Sequence, residues 1–258
     1  MKLYLEYLKM HFKSETQYKM SFVLSFLSQF IVMFSFYFTI ICLFDKFSNV
    51  KGFTLYHVLL TYAIIQFGNS FCETFFRGID QFDNLIIKGE FDRILLRPKN
   101  IILQVCGFEI SFIKLSRLLQ SIIILFIAII NLNVSWNIYK IITLIFMLLG
   151  SIAIFLGIFV LAAAYCFITL KGLEVRNVFT DGSKHMAQYP IGIFNKGFRF
   201  IFTFIIPFAL INYYPLLFLL DKTNNKWFIL LPLITLIYLI PCFIYFYKGV
   251  KKYTSTGS

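Results

Sequence analysis

Long apolar runs restrict the fold of this chain more than any other feature of its sequence. A helix needs about 20 apolar residues to cross the hydrocarbon core of a bilayer, and six runs satisfy this need: residues 20–44, 53–76, 115–132, 138–170, 198–220 and 227–247. Only 14% of the 258 residues are charged, whereas a soluble domain carries about a quarter charged residues. A water-soluble globular enzyme is therefore excluded. We predict an all-α polytopic membrane protein with six transmembrane helices, in which 138–170 forms one tilted helix.

The positions of Lys and Arg predict the orientation of these helices. If the N-terminus lies inside, the inner segments are 1–19, 77–114, 171–199 and 248–258, and all but five of the 24 basic residues lie in them or at their edges. Cytoplasmic segments carry such an excess of basic residues, so both termini are predicted to be cytoplasmic. The formal net charge of +12 then faces anionic lipid, and no nucleic-acid partner is expected. The five outer basic residues are Lys46, Lys51, Lys140, Lys222 and Lys226.

The N-terminal segment is amphipathic and precedes the first apolar run. Its charged residues Lys2, Glu6, Lys9 and Lys13 recur on one side of a helix, and apolar residues occupy the other. A basic amphipathic helix directly before a membrane span is typical of the headgroup layer. We therefore predict a cytoplasmic interfacial helix over 1–19 and a single six-span membrane domain over 20–258.

A short helix is predicted between the second and third spans, over Asp80–Lys88. Acidic residues at its start suit the positive end of a helix dipole, and Lys88-Gly89 is a typical helix stop. The helix has one apolar face, formed by Phe82, Leu85 and Ile86 at i, i+3 and i+4. That face could rest on the bilayer surface or enter a groove on a partner protein, and composition does not choose between the two.

The second span carries a polar stripe at helical spacing: Gln66, Asn69, Ser70, Glu73 and Arg77. Polar side chains are costly in hydrocarbon, so the stripe is expected to face other helices or a hydrated path. Glu73 and Arg77 are four residues apart and are expected to pair. Two interpretations stay open: a structural pair that steadies the span, or a route for an amphipathic substrate lined by Gln66, Asn69 and Glu73.

The fifth apolar run is interrupted by Pro207 and Pro215, with Asn212, Tyr213 and Tyr214 between them. Proline removes a backbone donor, and irregular backbone at membrane depth is tolerated only against protein or water. The run therefore forms either an ordinary kinked helix with an aromatic belt or an irregular piece near the outer interface.

Four stretches carry a resemblance to ABC type-2 permeases, in the bacterial branch described as ABC-2 family transporter proteins. The first is Glu-Phe-Asp-Arg-Ile-Leu-Leu-Arg-Pro over 90–98, which is similar to the inner-loop motif of that family. The others are Tyr189-Pro190, the stretch 207–215, and the terminal stretch 253–258. They follow the expected order and cover most of the chain, and the six-span topology agrees with the family.

The resemblance implies that Asp80–Lys88 is a coupling helix in the first cytoplasmic loop, docking in a cleft of a separate ABC ATPase. It also implies a pair of permease subunits, from the same or a homologous chain, with the substrate route between them, and a short re-entrant piece around 207–215 that closes the outer mouth. ATP and Mg would be bound by the partner ATPase, in a bacterial cytoplasmic membrane. The implied coupling residues are Asp80, Phe82, Asp83, Leu85, Ile86, Lys88, Glu90, Asp92, Arg93 and Arg97.

The favoured function is the permease subunit of an exporter for an apolar or amphipathic substrate such as a drug, peptide or lipid. The sequence contains no GxxxxGK[ST] loop for ATP phosphates, so a catalytic site is not expected on this chain. No cysteine or histidine spacing suggests a metal. An ATP-independent carrier or channel is the alternative, and it leaves the segment 80–98 unexplained. An integral-membrane enzyme is disfavoured because its three histidines lie in separate segments without a nucleophile and base arrangement.

Overall fold

The computed structural model of the chain describes residues 2–47, 49–50, 52–132, 134–169, 177, 182, 187–189 and 191–254. Leu170, Pro190 and the stretch 255–258, which figure in the sequence predictions, lie outside the described residues. Within the described ranges the chain is helical and contains no β-strand. The helices are α1 (Lys2–Glu15), α2 (Lys19–Lys46), α3 (Leu55–Phe75), α4 (Arg77–Asp80), α5 (Phe82–Ile87), α6 (Glu90–Leu95), α7 (Ile101–Phe108), α8 (Leu115–Asn131), α9 (Ile138–Tyr165), α10 (Lys196–Phe200), α11 (Ala209–Asn212), α12 (Tyr214–Leu219) and α13 (Leu231–Lys252). A 3-10 turn, Phe112–Lys114, leads into α8, and a π-helical turn, Ile201–Ile205, follows α10.

Four helical stretches are long and apolar enough to cross a membrane: α2, Phe112–Asn131, α9 and α13. A fifth candidate is the pair Lys196–Ile205 and Ala209–Leu219, which is bent by 94° at the break between its halves. The predicted run 198–220 is therefore not one continuous helix. Helix α3 is about 31 Å long at 1.5 Å per residue, but its polar side chains lower its mean hydropathy and it is not among these candidates.

Helix α3 occupies the centre of the bundle. It packs against α8 and α9 and also contacts α2, and most of its residues are buried. Gly68 lets it approach α9 closely, because a side chain there would collide with Ser151. By contrast, Met33, Ile40 and Phe44 are the buried residues of the 28 in α2. The helix that carries the polar stripe is thus enclosed, and α2 lies at the edge of the bundle.

Helix α9 has 28 residues and is about 42 Å long at 1.5 Å per residue. It packs most extensively along α13. Close approach depends on Gly150 and Gly157, where an added side chain would meet Ile211 and Pro232 or the ring of Tyr238. The prediction of one long helix holds to Tyr165, where the helix ends.

Segments that the sequence predicts on one side of the membrane meet at one end of the bundle. At the predicted outer end, Lys140 Nζ lies 2.7 Å from Asp221 Oδ2, and Lys222 Nζ donates to the carbonyl of Gly52 at 2.9 Å. At the other end, the rings of Phe82 and Phe246 are 5.5 Å apart. The rings of Phe91 and Tyr253 also pack at 5.1 Å, so the second and last predicted inner segments share one end.

Helix α1 is attached to that predicted inner end by specific contacts. Tyr4 OH donates to the carbonyl of Phe75 at 2.5 Å, and His11 Nε2 lies 3.1 Å from the carbonyl oxygen of Gly107. Glu15 Oε2 accepts hydrogen bonds from the N–H groups of Phe112 (2.9 Å) and Ile113 (3.2 Å). The segment predicted to lie in the headgroup layer thus also has one side held by the protein, although none of its described residues is buried.

Candidate functional site

The segment between the second and third apolar runs is a series of short helices rather than one coupling helix. Helix α4 ends at Asp80, α5 covers Phe82–Ile87, and α6 begins at Glu90. Gly89 separates α5 from α6 with a positive φ of 67°, a conformation that glycine adopts without strain. The predicted start at Asp80 is therefore displaced to Phe82, and the predicted stop at Lys88-Gly89 is confirmed. We call residues 77–97 the linker segment.

The apolar face of the linker segment is covered by the protein itself. Phe82, Leu85 and Ile86 are buried. The ring of Phe82 lies 5.0 Å from Phe91, 5.2 Å from Phe167 and 5.5 Å from Phe246, measured between centroids. Phe82, Leu85 and Ile86 are therefore core residues of this chain, and they do not form the surface that a partner would meet. Helical spacing revealed an apolar face but not which residues cover it.

Phe82, Phe91, Phe167, Phe246 and Tyr253 form an aromatic cluster. Tyr253, just after α13, packs edge-on against Phe91 at 5.1 Å and lies 5.9 Å from Phe167. Burial, and then the neighbouring carboxylate of Asp92, raise the pKa of Tyr253. The cluster joins the linker segment to the ends of α9 and α13, so a displacement of the segment would also displace the ends of both long helices.

The remaining predicted coupling residues divide into buried and exposed groups. Asp83 is buried, whereas Asp80, Glu90 and Asp92 are half-buried. Two apolar residues that the sequence analysis missed are prominent: Ile87 is 60% exposed and Leu96 is 85% exposed. Together with three exposed cations they form what we call the exposed edge: Ile87, Lys88, Arg93, Leu96 and Arg97. The sequence contained a signal for their exposure, because Ile87 and Leu96 fall outside the apolar face defined by Phe82, Leu85 and Ile86.

Arg77 anchors the linker segment to the next loop. Its Nε lies 2.8 Å from Glu109 Oε1, and its Nη1 lies 3.8 Å from Asp80 Oδ2. The N–H of Gly78 donates to the carbonyl of Glu109 at 3.0 Å. A side chain at Gly78 would collide with the carbonyl oxygen of Val105. The start of the linker segment is thus fixed tightly against α7.

The polar stripe of α3 faces α2 and α8, as predicted for a stripe that contacts other helices. Gln66 is buried, and its Nε2 lies 3.3 Å from Ser70 Oγ and 3.4 Å from Met33 Sδ. Gln120 of α8 donates to the carbonyl of Met33 at 3.3 Å. Asn69 is also buried. Within one subunit, these contacts favour the structural interpretation of Gln66 and Asn69.

The acidic residue of the stripe pairs differently from the prediction. Glu73 Oε2 lies 2.8 Å from Arg117 Nη1 on α8, and Arg117 Nε donates to Gln29 Oε1 on α2 at 2.8 Å. Arg77, the predicted partner of Glu73, is paired with Glu109 and Asp80 instead. The prediction considered only neighbours on the same helix, whereas Arg117 is 44 residues away. Arg117 thereby links three helices.

The stretch 207–215 covers part of the break in the bent pair and the start of its second half, Ala209–Leu219. The chain breaks at Ile206–Phe208, and Pro215 stands in the first turn of α12. Asn212 is buried, and its side-chain amide donates to the carbonyl of Ala187 at 2.5 Å. A 94° bend exceeds an ordinary proline kink and is typical of a broken span or a re-entrant loop. The alternative of an ordinary kinked helix is therefore wrong for this stretch.

Arg199 lies beside Tyr213 and not on the opposite side of the membrane. Its guanidinium carbon is 5.9 Å from the centroid of the Tyr213 ring, and Gly192 approaches the same ring closely. The sequence analysis placed Arg199 in an inner segment and Tyr213 at the outer interface, and both assignments cannot hold. The carbonyl of Gln188 accepts a hydrogen bond from Thr61, seven residues into α3. Ala187, Gln188, Ile191 and Gly192 are therefore buried in the bundle, whereas residues 195–200 are exposed on its surface, an arrangement that a count of basic residues does not reveal.

A family model described as ABC-2 family transporter protein matches residues 30–257, which includes the linker segment, the bent pair and the long helices. No curated protein and no solved structure matches the chain.

Proposed function

This chain belongs to the ABC-2 family of transporter proteins, and from that premise we propose that it is the permease subunit of an ATP-driven exporter for apolar or amphipathic substrates. As a family member it is a multi-pass membrane permease that works with an ATPase component. Export, the substrate class, the pairing with a second permease subunit, and ATP and Mg on the partner belong to the proposal. So does a bacterial cytoplasmic membrane as its location.

The aromatic cluster is the observation that carries the proposal. A motor that binds the exposed edge would push on α5 and α6, and Phe82 and Phe91 would pass that displacement to Phe167 and Phe246. Tightly packed side chains transmit displacement because cores deform little. The long helices α9 and α13 would then move together, which is the rigid-body motion that alternating access requires.

The exposed edge fits a cleft with a small apolar pocket and acidic rim. Leu96 is more exposed than Ile87, the other apolar residue of the edge, and it follows the exposed cation Arg93 and precedes Arg97. Apolar anchors surrounded by charge are typical of protein interfaces, where the charges steer association. In this proposal Lys88, Arg93 and Arg97 meet carboxylates of the ATPase, and Ile87 and Leu96 enter its pocket.

A six-span topology with both termini in the cytoplasm agrees with the packing of the helix ends. The ends of α9 and α13 share one end of the bundle, since Phe167 and Phe246 lie 5.6 Å apart. Helix α13 therefore begins at the opposite end, near Lys222 and Gly52. The chain between α9 and α13 has to return across the bundle, and the bent pair makes this return. In this proposal α3 and the bent pair join the four candidate spans to give six crossings.

The proposal is tested by purifying tagged full-length chain from native membranes and measuring the amount of ATP-binding-cassette ATPase that accompanies it. We expect Leu96→Asp and Ile87→Asp to reduce the recovered ATPase at least fivefold while the permease remains folded. Phe47→Asp is a matched control, because Phe47 is an exposed aromatic residue at the predicted outer end. If Leu96→Asp and the unmodified chain recover equal amounts of ATPase, docking on the exposed edge is contradicted. Substrate movement by the permease alone in ATP-free liposomes would favour an ATP-independent carrier.

A further inference from the structure

Arg199 lies at the depth of the middle of the bundle. It contacts the ring of Tyr213, two residues from Ile211. Ile211 packs at Gly150, which is the thirteenth of the 28 residues of α9. Because α9 is a candidate membrane span, we place Arg199, which is exposed on the surface of the bundle, at membrane depth, where ionisable residues usually mark a functional site.

The guanidinium of Arg199 is held in place. Nη2 donates to the carbonyl of Gly192 at 2.8 Å, and Nε donates to the carbonyl of Phe194 at 3.3 Å. A guanidinium has five N–H donors, and these two contacts use two of them. The contacts orient the group without neutralising its charge.

No carboxylate of the described residues neutralises Arg199. The sequence from 182 to 220 contains no Asp or Glu, and Asp221 is paired with Lys140. Arg199 takes part in none of the ion pairs found among the described ranges. A second cation, Lys196, lies one turn earlier on the same helix and is exposed. Within the part of the chain that the structure describes, the guanidinium of Arg199 therefore has no carboxylate partner.

The same helix offers an apolar surface beside these cations. Phe200 and Phe204 are 60% and 72% exposed, and their ring centroids lie 5.0 Å apart. Lys196 precedes Phe200 by four residues, so the ammonium and the two rings follow one another along the helix surface. A molecule with a negative head and an apolar chain would match this order.

We propose that Arg199, assisted by Lys196, binds the anionic head of an amphipathic cargo whose apolar chain lies along Phe200 and Phe204. This inference rests on the proposed transport function and narrows its substrate class to anionic amphiphiles. Arginine suits the role because its planar fork binds phosphate or carboxylate oxygens in bidentate fashion. The contact with Tyr213 places the bound head next to the segment 207–215, the implied outer gate.

The test measures binding of lysophosphatidylglycerol to the purified full-length chain in neutral detergent. Lysophosphatidylcholine of equal chain length serves as the zwitterionic comparison, and glycerol 3-phosphate as the anionic head without a chain. We expect the unmodified chain to prefer the anionic lysolipid by roughly tenfold, as one charge-assisted contact implies, and to bind glycerol 3-phosphate far more weakly. Arg199→Gln should abolish the preference, Arg199→Lys should retain part of it, and the control Lys222→Gln should leave it unchanged.

Equal affinity of the unmodified chain for the two lysolipids would overturn the proposal, as would an unchanged preference in Arg199→Gln. If Arg199→Gln fails to fold, two other results test the proposal. They are the preference of the unmodified chain for the anionic lysolipid and the loss of this preference in the double variant Lys196→Gln/Arg199→Lys. Binding of glycerol 3-phosphate as strong as that of the lysolipid would show a simple anion site and would also overturn it. The docking of the ATPase on the exposed edge is tested separately by co-purification. A negative result for lysolipid binding therefore leaves the transport proposal intact, and a negative co-purification result leaves the binding of the anionic lysolipid intact.

Discussion

Glu73 and Arg117 join α3 to α8 through a 2.8 Å contact between carboxylate and guanidinium, and Arg117 reaches α2 through Gln29. Both side chains are largely buried, with 15% of each exposed. The pair therefore fixes three helices at one level. Since α2 has few buried residues, this contact is an important part of what holds α2 to the bundle.

We predict that removing either partner of this pair destabilises the protein. Glu73→Gln and Arg117→Gln each leave one buried charge without its partner, which costs about 3 kcal/mol. The double variant should lose less than the sum of the two single effects, because the second substitution removes the stranded charge. The free energies of unfolding are measured by denaturation in detergent, with the transition followed by fluorescence. Lys226→Gln, at an exposed position, is the control and should change stability little. If the effects of the two single substitutions add up exactly in the double variant, Glu73 and Arg117 do not interact.

A second prediction concerns the aromatic cluster. Phe82→Ala creates a cavity between the linker segment, α9 and α13, and should lower stability by about 3–5 kcal/mol. Phe204→Ala removes the same side chain from an exposed position and should lower it by less than about 1 kcal/mol. Thermal denaturation of both variants in the same detergent makes the comparison. Similar losses in the two variants would mean that Phe82 is not packed as described.

The attachment of α1 should depend on pH through Glu15. Burial raises the pKa of this carboxyl, and the N–H groups of Phe112 and Ile113 partly oppose the rise. A raised pKa in the folded state means that the contribution of Glu15 to stability is full below the ordinary pKa of 4.5 and is lost as the pH rises through the folded value. The unmodified chain should therefore lose stability relative to Glu15→Gln as the pH increases above about 4.5.

The check for Glu15 is the difference in melting temperature between the two proteins from pH 4 to pH 8. A constant difference over this range would contradict the raised pKa. Proteolysis within residues 2–15, followed over the same range, reports whether α1 detaches.

Two glycines provide a matched pair for the anchoring of the linker segment. Gly78→Ala places a methyl group against the carbonyl oxygen of Val105, whereas at Gly197 the nearest atom, Asn195 Oδ1, is 3.9 Å from an added Cβ. We expect Gly78→Ala to destabilise the protein by about 1–3 kcal/mol, the usual cost of overpacking, and Gly197→Ala to have almost no effect. Size-exclusion profiles and melting temperatures of both variants test this, and an unaffected Gly78→Ala protein would exclude the close contact with α7.

The sequence predicted those features of the fold that depend on local patterns. Apolar runs located the long helices, helical spacing placed Gln66 and Asn69 on one inward-facing stripe, and Lys88-Gly89 marked the end of α5. These signals arise from neighbouring residues on one element, and the structure preserves them. Pro207 and Pro215 likewise predicted an irregular stretch of backbone.

Features that depend on distant residues were not predictable in this way. Phe82 is covered by Phe167 and Phe246, which follow it by more than 80 residues, and Glu73 finds Arg117 on another helix. No periodicity within a segment indicates such partners. Arg199 and Tyr213 were assigned to opposite sides for the same reason, because a basic residue was counted by its place between apolar runs, whereas the structure brings its guanidinium to the ring of Tyr213.

The uneven enclosure of α2 and α3 has a practical consequence for labelling. Spectroscopic probes attached to the outward positions of α2, for example at Cys42, which is exposed, would perturb the interior little and would report on the surroundings of the helix. Probes on α3 would have to displace neighbouring side chains. Distance measurements with such probes should therefore start from α2.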